Sequence, residues 1–326
     1  MAFIKRSWFI LGIIIVLLLG ILISDVGITM NRGSVFSTAL VVLLFFITGL
    51  KLPVESIRTG LKDIRVHIYI QFFIFGVVPL YFYFTSMFFK DIFTPQILIG
   101  IYALCCLPVT ISSCIVFTQS AGGNVVATMF NAAFANILGV IVSPLILSLM
   151  LNTSGDALPA SELFGIVKKL VLMMILPIAA GQVSRRWLGV FAASRNKQLS
   201  VLSNISILLI LFFAFSKSAG DPDFTGNLSL MAVPYIYLAV SFIILLLLAS
   251  GGAALLGFRR EDRITVLFTA PQKTLAMGVP LLSTFFASQP ELLGTALLPL
   301  IFYHPWQLFV SGILQEIIKK RNFISE

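Results

Sequence analysis

Apolar residues fall in ten long runs, at 8–23, 34–50, 66–89, 95–117, 123–151, 163–184, 200–216, 229–257, 263–286 and 292–318, parted by short polar segments. Crossing about 30 Å of hydrocarbon takes roughly 20 apolar residues in a helix. In lipid every backbone polar group must be satisfied within the protein, which leaves helices or closed barrels. The pattern predicts an all-α polytopic membrane protein with ten transmembrane helices. No long polar linker divides the runs, so residues 1–326 read as a single membrane domain. Lys5 and Arg6 before the first run look like the start of a signal peptide. That run is long and no small-x-small cleavage pattern follows it, which predicts an uncleaved first span.

Composition agrees with the pattern. Of 326 residues, 59% are hydrophobic and 11% charged, and the mean hydropathy is +1.04. Soluble domains carry about 25% charged residues, so lipid is the solvent for most of this surface. The net charge of +9 could suggest nucleic acid, but the basic residues sit in short segments between apolar runs, which speaks against it. With the N-terminus inside, Arg32, Lys90, Lys168, Lys169 and Lys217 are outside and Lys273 is inside a span. The other 16 of the 22 Lys and Arg are then cytoplasmic, a bias that predicts both termini on the cytoplasmic side. The basic stretch 185–197, with Trp187, reads as an interfacial segment.

Two runs are interrupted in matching ways. The fourth carries Pro108 followed by Thr110, Ser112 and Ser113; the ninth carries Pro271 followed by Gln272, Lys273 and Thr274. Proline removes a helix donor and clashes with the turn before it, and polar side chains just after it can occupy the opened backbone. Pro79, Pro144, Pro177 and Pro234 lack that sequel and read as kinks or packing. Each interruption is the fourth run of a five-run half, about 8–151 and 163–318, which predicts a five-plus-five inverted repeat. Paired breaks of this kind point to a transporter's binding site at the midplane.

Lys273 stands out among the intramembrane polar groups. All 13 Asp and Glu lie in loops or at span ends, and a Lys at a helix centre costs about 2.5–3.5 kcal/mol on insertion scales. Its expected partners are carbonyls, hydroxyls, water or an anion. Gln71, Thr128, Asn131, Asn136, His304 and Gln307 are the other polar candidates. The spans hold no metal-ligand spacing, nucleophile elbow, P-loop or dinucleotide fingerprint, so the chain is read as neither an enzyme nor a metalloprotein. Cys105, Cys106 and Cys114 are read as small buried apolar side chains.

The segments "FFITGLKL" (45–52), "YIQFFIFGVVP" (69–79), "LPVTISSCIVFTQSAGGN" (107–124), "FNAAFANILGVIVSPLIL" (130–147), "APQKTLAMGVPLLS" (270–283) and "IFYHPWQL" (301–308) resemble the bile acid:sodium symporter family, in its divergent SBF-like branch. The resemblance covers nearly the whole chain. It implies a panel domain of spans 1, 2, 6 and 7 and a core domain of spans 3–5 and 8–10. Spans four and nine would be broken and cross. In sodium-coupled members two sodium ions bind behind that crossing, and an organic anion binds in the cleft between domains.

Where those members carry Glu-x-Gly-x-Gln-Asn in span nine, this chain has Phe268, Ala270, Gln272 and Lys273. Gln71 matches the Gln of span three, and Ser112 and Ser113 fall near the Ser/Asn pair of span four. Taken together with the polar residues of the breaks and spans, the candidate site is Gln71, Thr110, Ser112, Ser113, Thr128, Asn131, Gln272, Lys273, Thr274 and His304. The ammonium of Lys273 could stand in for a bound sodium, leaving transport proton-linked if it titrates and uncoupled if it does not. The leading expectation is a symporter-like secondary transporter of a small organic anion by alternating access, in a plasma membrane or bacterial inner membrane. It has no cofactor beyond a sodium or proton coupling ion. The alternative is a membrane regulator of ion homeostasis that keeps this fold without transporting. The oligomeric state does not follow from these residues.

Overall fold

In the computed structural model, residues 2–51, 64–153, 160–219 and 232–324 are described, and every element among them is helical. The elements are α1 (Ala2–Leu22), α2 (Ser24–Met30), α3 (Val35–Lys51), α4 (Ile64–Phe72), a π-turn (Phe73–Val77), α5 (Val78–Ser86), α6 (Pro95–Cys106), α7 (Ile111–Ser120) and α8 (Val125–Thr153). They continue with α9 (Ala160–Ser194), α10 (Asn196–Ser218), α11 (Ala232–Leu255), α12 (Arg260–Thr269), α13 (Leu275–Phe285) and α14 (Leu293–Ile324). Arg58 and Lys62, counted as cytoplasmic in the charge bias, lie outside the described residues, as do positions 229–231 of the eighth run.

Six helical stretches are long and apolar enough to span a membrane: Arg32–Lys51, Ile64–Phe89, Val125–Leu151, Asn196–Ser218, Ala232–Leu255 and Leu293–Lys320. Two bent pairs raise the number to eight: α1 with α2, bent by 94°, and α6 with α7, bent by 57°. The remaining apolar runs, 163–184 and 263–286, fall in α9 and in α12 with α13. The second of these is interrupted at residues 270–274, which leaves two shorter helices. In the basic stretch 185–197, residues 185–194 continue α9 and residues 196–197 begin α10, with Trp187 exposed.

Two groups of helices emerge from the packing. The first joins α3 to α9 and α10, and α10 to α1 and α2. A side chain at Gly49 of α3 would collide with the carbonyl of Ile178, and one at Gly181 of α9 with the carbonyl of Phe46. These two glycines let the backbones touch, the usual way helices pack without a hydrophobic drive between them. The second group holds α4 to α8 and α11 to α14, with α6 against α14 and α12 against α7 and α8. The groups meet where α8 packs on α9, α14 on α10, and α13 on α3, α9 and α10.

Internal prolines behave in two ways. Pro144 and Pro177 sit inside the continuous helices α8 and α9. At Pro108 and Pro271, by contrast, regular helix stops, over residues 107–110 and 270–274.

Candidate functional site

The two breaks meet. The backbone N–H of Thr274 donates to the carbonyl of Pro108 at 3.0 Å. A helix C-terminus leaves about four carbonyls without intrahelical donors, and with Pro108 next in line α6 cannot supply them. Every carbonyl from 105 to 109 finds a donor from elsewhere. Lys273 Nζ donates to Cys105 and Leu107, both at 2.8 Å. Ser143 serves Cys106, Thr274 serves Pro108, and Asn136 serves Val109.

The third bond of Lys273 Nζ goes to the carbonyl of Ile74 at 3.2 Å. That acceptor exists because of the π-turn. The N–H of Val78 bonds Phe73, and Pro79, the next residue, has no N–H. Ile74 thus loses its helical donors, and the lysine takes their place. Among the described residues all hydrogen bonds of this ammonium go to carbonyls, and none goes to a carboxylate. Lys273 is 1% exposed.

The second break is held from α14. Gln307 accepts from the N–H of Lys273 at 2.8 Å and donates to its carbonyl at 2.7 Å, while the Tyr303 hydroxyl serves the carbonyl of Pro271. Gln272 turns towards α7: its Oε1 accepts from Thr110 (3.3 Å), Ser113 (3.1 Å) and the Cys114 thiol (3.3 Å), and its Nε2 donates to Ser311. Thr110 and Thr274 stand at the N-cap positions of α7 and α13. Both helices thus begin at the crossing, so two positive helix ends converge there.

Those ends face a cavity of about 380 Å³ between the two helix groups. Thr110, Ser112 and Ser113 line it from α7, Thr274 and Ala276 from α13, and His304 from α14. Lys51 at the end of α3, and Ser200, Ser203 and Asn204 on one face of α10, close the other side. Lys51 Nζ donates to Ser200 Oγ at 2.6 Å.

Of the residues singled out from the sequence, Thr110, Ser113, Gln272, Lys273 and Thr274 form the crossing itself. Ser112 is an exposed wall of the cavity. His304 Nδ1 pairs with Gln307 Nε2 at 3.0 Å, so it reaches the second break through that amide. Gln71 and Asn131 bond to each other (3.1 Å) and Asn131 to His67 (2.9 Å), rather than to either break. Gln71 Oε1 is buried without a protein partner among the described residues. Thr128 belongs to a third cluster, with Thr118, Thr265 and the carbonyl of Asn124. Phe268 is fully buried with its ring 5.7 Å from that of Phe117. Sequence reasoning missed Lys51, which reads as a loop charge, and the Ser200–Ser203–Asn204 stripe, whose i, i+3, i+4 spacing was the available signal.

A model of the SBF-like CPA transporter family matches residues 7–320. The chain belongs to that family. Among its relatives are sodium/bile acid cotransporter 7 of Danio rerio, 28% identical over 323 residues, 97% of this chain and 94% of that protein. An uncharacterized Pseudomonas aeruginosa protein is 33% identical over 285 residues, 86% and 83% of the two chains. Escherichia coli YfeH, named as a candidate symporter, is 30% identical over 291 residues, 88% and 85% of the two. As a member of this SBF-like transporter family, with several apolar spanning helices, the protein is an integral multi-pass membrane protein.

Proposed function

We propose that this protein is a secondary transporter of a small organic anion that works by alternating access and without sodium. The observation that carries the reading is the cavity at the crossing, walled by the first turns of two helices and by Lys51. Helix N-termini present N–H groups and partial positive charge, an arrangement suited to an anion. Lys273 strengthens the bias. By neutralising the carbonyl end of α6, it leaves the positive ends of α7 and α13 unopposed beside the cavity.

In this reading ten spans form two inverted halves of a single domain, both termini are cytoplasmic, and α1–α3, α9 and α10 are the panel that rocks against the rest. Support comes from a repeated device: each break is gripped by an amide from the next span, Asn136 on Val109 and Gln307 on Lys273. The proposed anion site is Thr110, Ser112, Ser113, Thr274, His304 and Lys51, with Gln272 and Lys273 fixing the crossing. Gln71, Thr128 and Asn131 support the helices behind it. Independence from sodium follows from Phe268, which puts a phenyl ring where a carboxylate would ligate, and from the fixed ammonium of Lys273.

The test is a thermal-shift series on purified protein with bile salts, dicarboxylates and aryl sulfonates, in sodium or potassium and over a range of pH. One anion class should stabilise the protein equally in either salt. Stabilisation by cations or neutral solutes alone, or only in sodium, would defeat the reading.

A further inference from the structure

A second cavity, of about 180 Å³, lies farther along the same seam. Asn31, Ser34, Ser37 and Val41 line it from the α2–α3 side, Lys217 from the end of α10, and Ser283 and Thr284 from α13. It shares no lining residue with the crossing cavity. Along α3, Val41 faces this cavity and Ile47 the other, with Leu44, 1% exposed, between them.

Lys217 Nζ donates to Ser34 Oγ at 3.1 Å. This bond is the counterpart of Lys51 to Ser200. Ser34 and Lys51 bound α3 as Ser200 and Lys217 bound the membrane part of α10, and one offset of 166 residues carries the first pair onto the second. Each lysine ends one helix and reaches the serine that begins the other, so α3 and α10 run antiparallel with an ammonium at either end. At a rise of 1.5 Å per residue the two lysines stand about 25 Å apart across the membrane. Among the described residues neither ammonium bonds a carboxylate; each has a neutral hydroxyl, and both are half-buried. A Lys held this way keeps its charge available for a carboxylate or sulfonate.

We infer that the second cavity is a further anion-binding site, in which Lys217 receives the organic anion on the opposite face from Lys51. The inference rests on the reading of the protein as an anion carrier and extends it. The carrier presents one lysine post to each side of the membrane, and Leu44 and its neighbours separate the two posts in this conformation.

Local charge can be read without knowing the substrate. Cysteine is placed beside each lysine, as Ser283→Cys and Asn204→Cys, in the full-length protein in detergent, where both faces are accessible. Cys105, Cys106 and Cys114 are buried, and the parent protein measures their background. Rates are compared for sulfonatoethyl (anionic) and trimethylammonioethyl (cationic) methanethiosulfonate, normalised to a free thiol. Cysteine at 283 should favour the anionic reagent by about fivefold or more. Lys217→Gln should abolish that preference, Lys217→Arg should keep it, and Lys51→Gln should leave it alone. Persistence of the preference in Lys217→Gln, or none at 283 while 204 shows one, overturns the inference and leaves the carrier reading intact. No preference at 204 with Lys51 present counts against the carrier reading itself. The Lys217→Arg variant, with its charge retained, separates loss of charge from loss of folding.

Discussion

The break after Cys106 and the break after Thr269 look alike in sequence, a proline followed by polar residues, but they are unequal partners. The first is rich in acceptors: five successive carbonyls need donors from outside their own helix. The second brings donors, the N–H of Thr274 and the ammonium of Lys273, and is itself gripped by Gln307 at both backbone polar atoms of one residue, Lys273. One half of the molecule therefore completes the hydrogen bonding of the other. A fixed cation serves here as a structural tie, and its effect on ligands is felt one helix end away.

The sharpest way to break this asymmetry is Lys273→Met. It strands the carbonyls of Ile74, Cys105 and Leu107, and at about 1–3 kcal/mol for each buried unsatisfied group the loss should exceed about 3 kcal/mol. Denaturant or thermal unfolding in detergent would read it, and a change below about 1 kcal/mol would mean the lysine is not the tie. Next in size, Gln307→Leu should cost about 2 kcal/mol, because the backbone N–H and carbonyl of Lys273 both lose their partner. The matching change at the first break, Asn136→Leu, strands one carbonyl and should cost about half as much. Equal costs for the two would erase the inequality between the breaks.

Lys51→Gln should leave stability nearly unchanged, since the lysine pairs with a half-exposed serine. It should weaken the stabilising anion roughly tenfold, or about 1.4 kcal/mol, in a titration by thermal shift. The smallest effect concerns sodium. A cation about 4 Å from Lys273 would be repelled by several kcal/mol at an effective dielectric near 20, so the wild type should show no sodium-specific shift. Phe268→Glu with Lys273→Asn should gain one of a degree or two, to the extent that the stranded carbonyls leave the double variant folded. Sodium-driven uptake by the wild type, indifferent to Lys273→Ala, would remove Lys273 from the coupling argument altogether.

Much of this was legible from the residues because lipid makes strict demands. A run such as 34–50 has few alternatives to a spanning helix, and Pro108 and Pro271 stand out because polar residues follow them. The direction in which Lys273 would reach was hidden. Its acceptor at Ile74 depends on a π-turn, which no periodicity announces, and its acceptors at 105 and 107 depend on which helices cross. Lys51 was hidden for the opposite reason, since a charge at the end of an apolar run reads as solvent-facing wherever it points. Gln71 and Asn131 read as lining the site because they are polar and intramembrane. Gln71 bonds Asn131 and Asn131 bonds His67, a pairing that pattern alone cannot distinguish.

The π-turn also fixes the phase of the third span. One residue more than an α-helix needs is stored between Phe73 and Val77, and each helical residue advances the side chains by about 100°. Removing one of these residues other than Ile74 would let the turn close into regular α-helix, whereas adding another would rotate everything on one side of the turn by that angle relative to the other. In the shortened turn the carbonyl of Ile74 would return to its own helix and leave Lys273 one acceptor short. The number of residues in this stretch therefore matters alongside their packing, since Phe73 and Ile74 are also buried in the core.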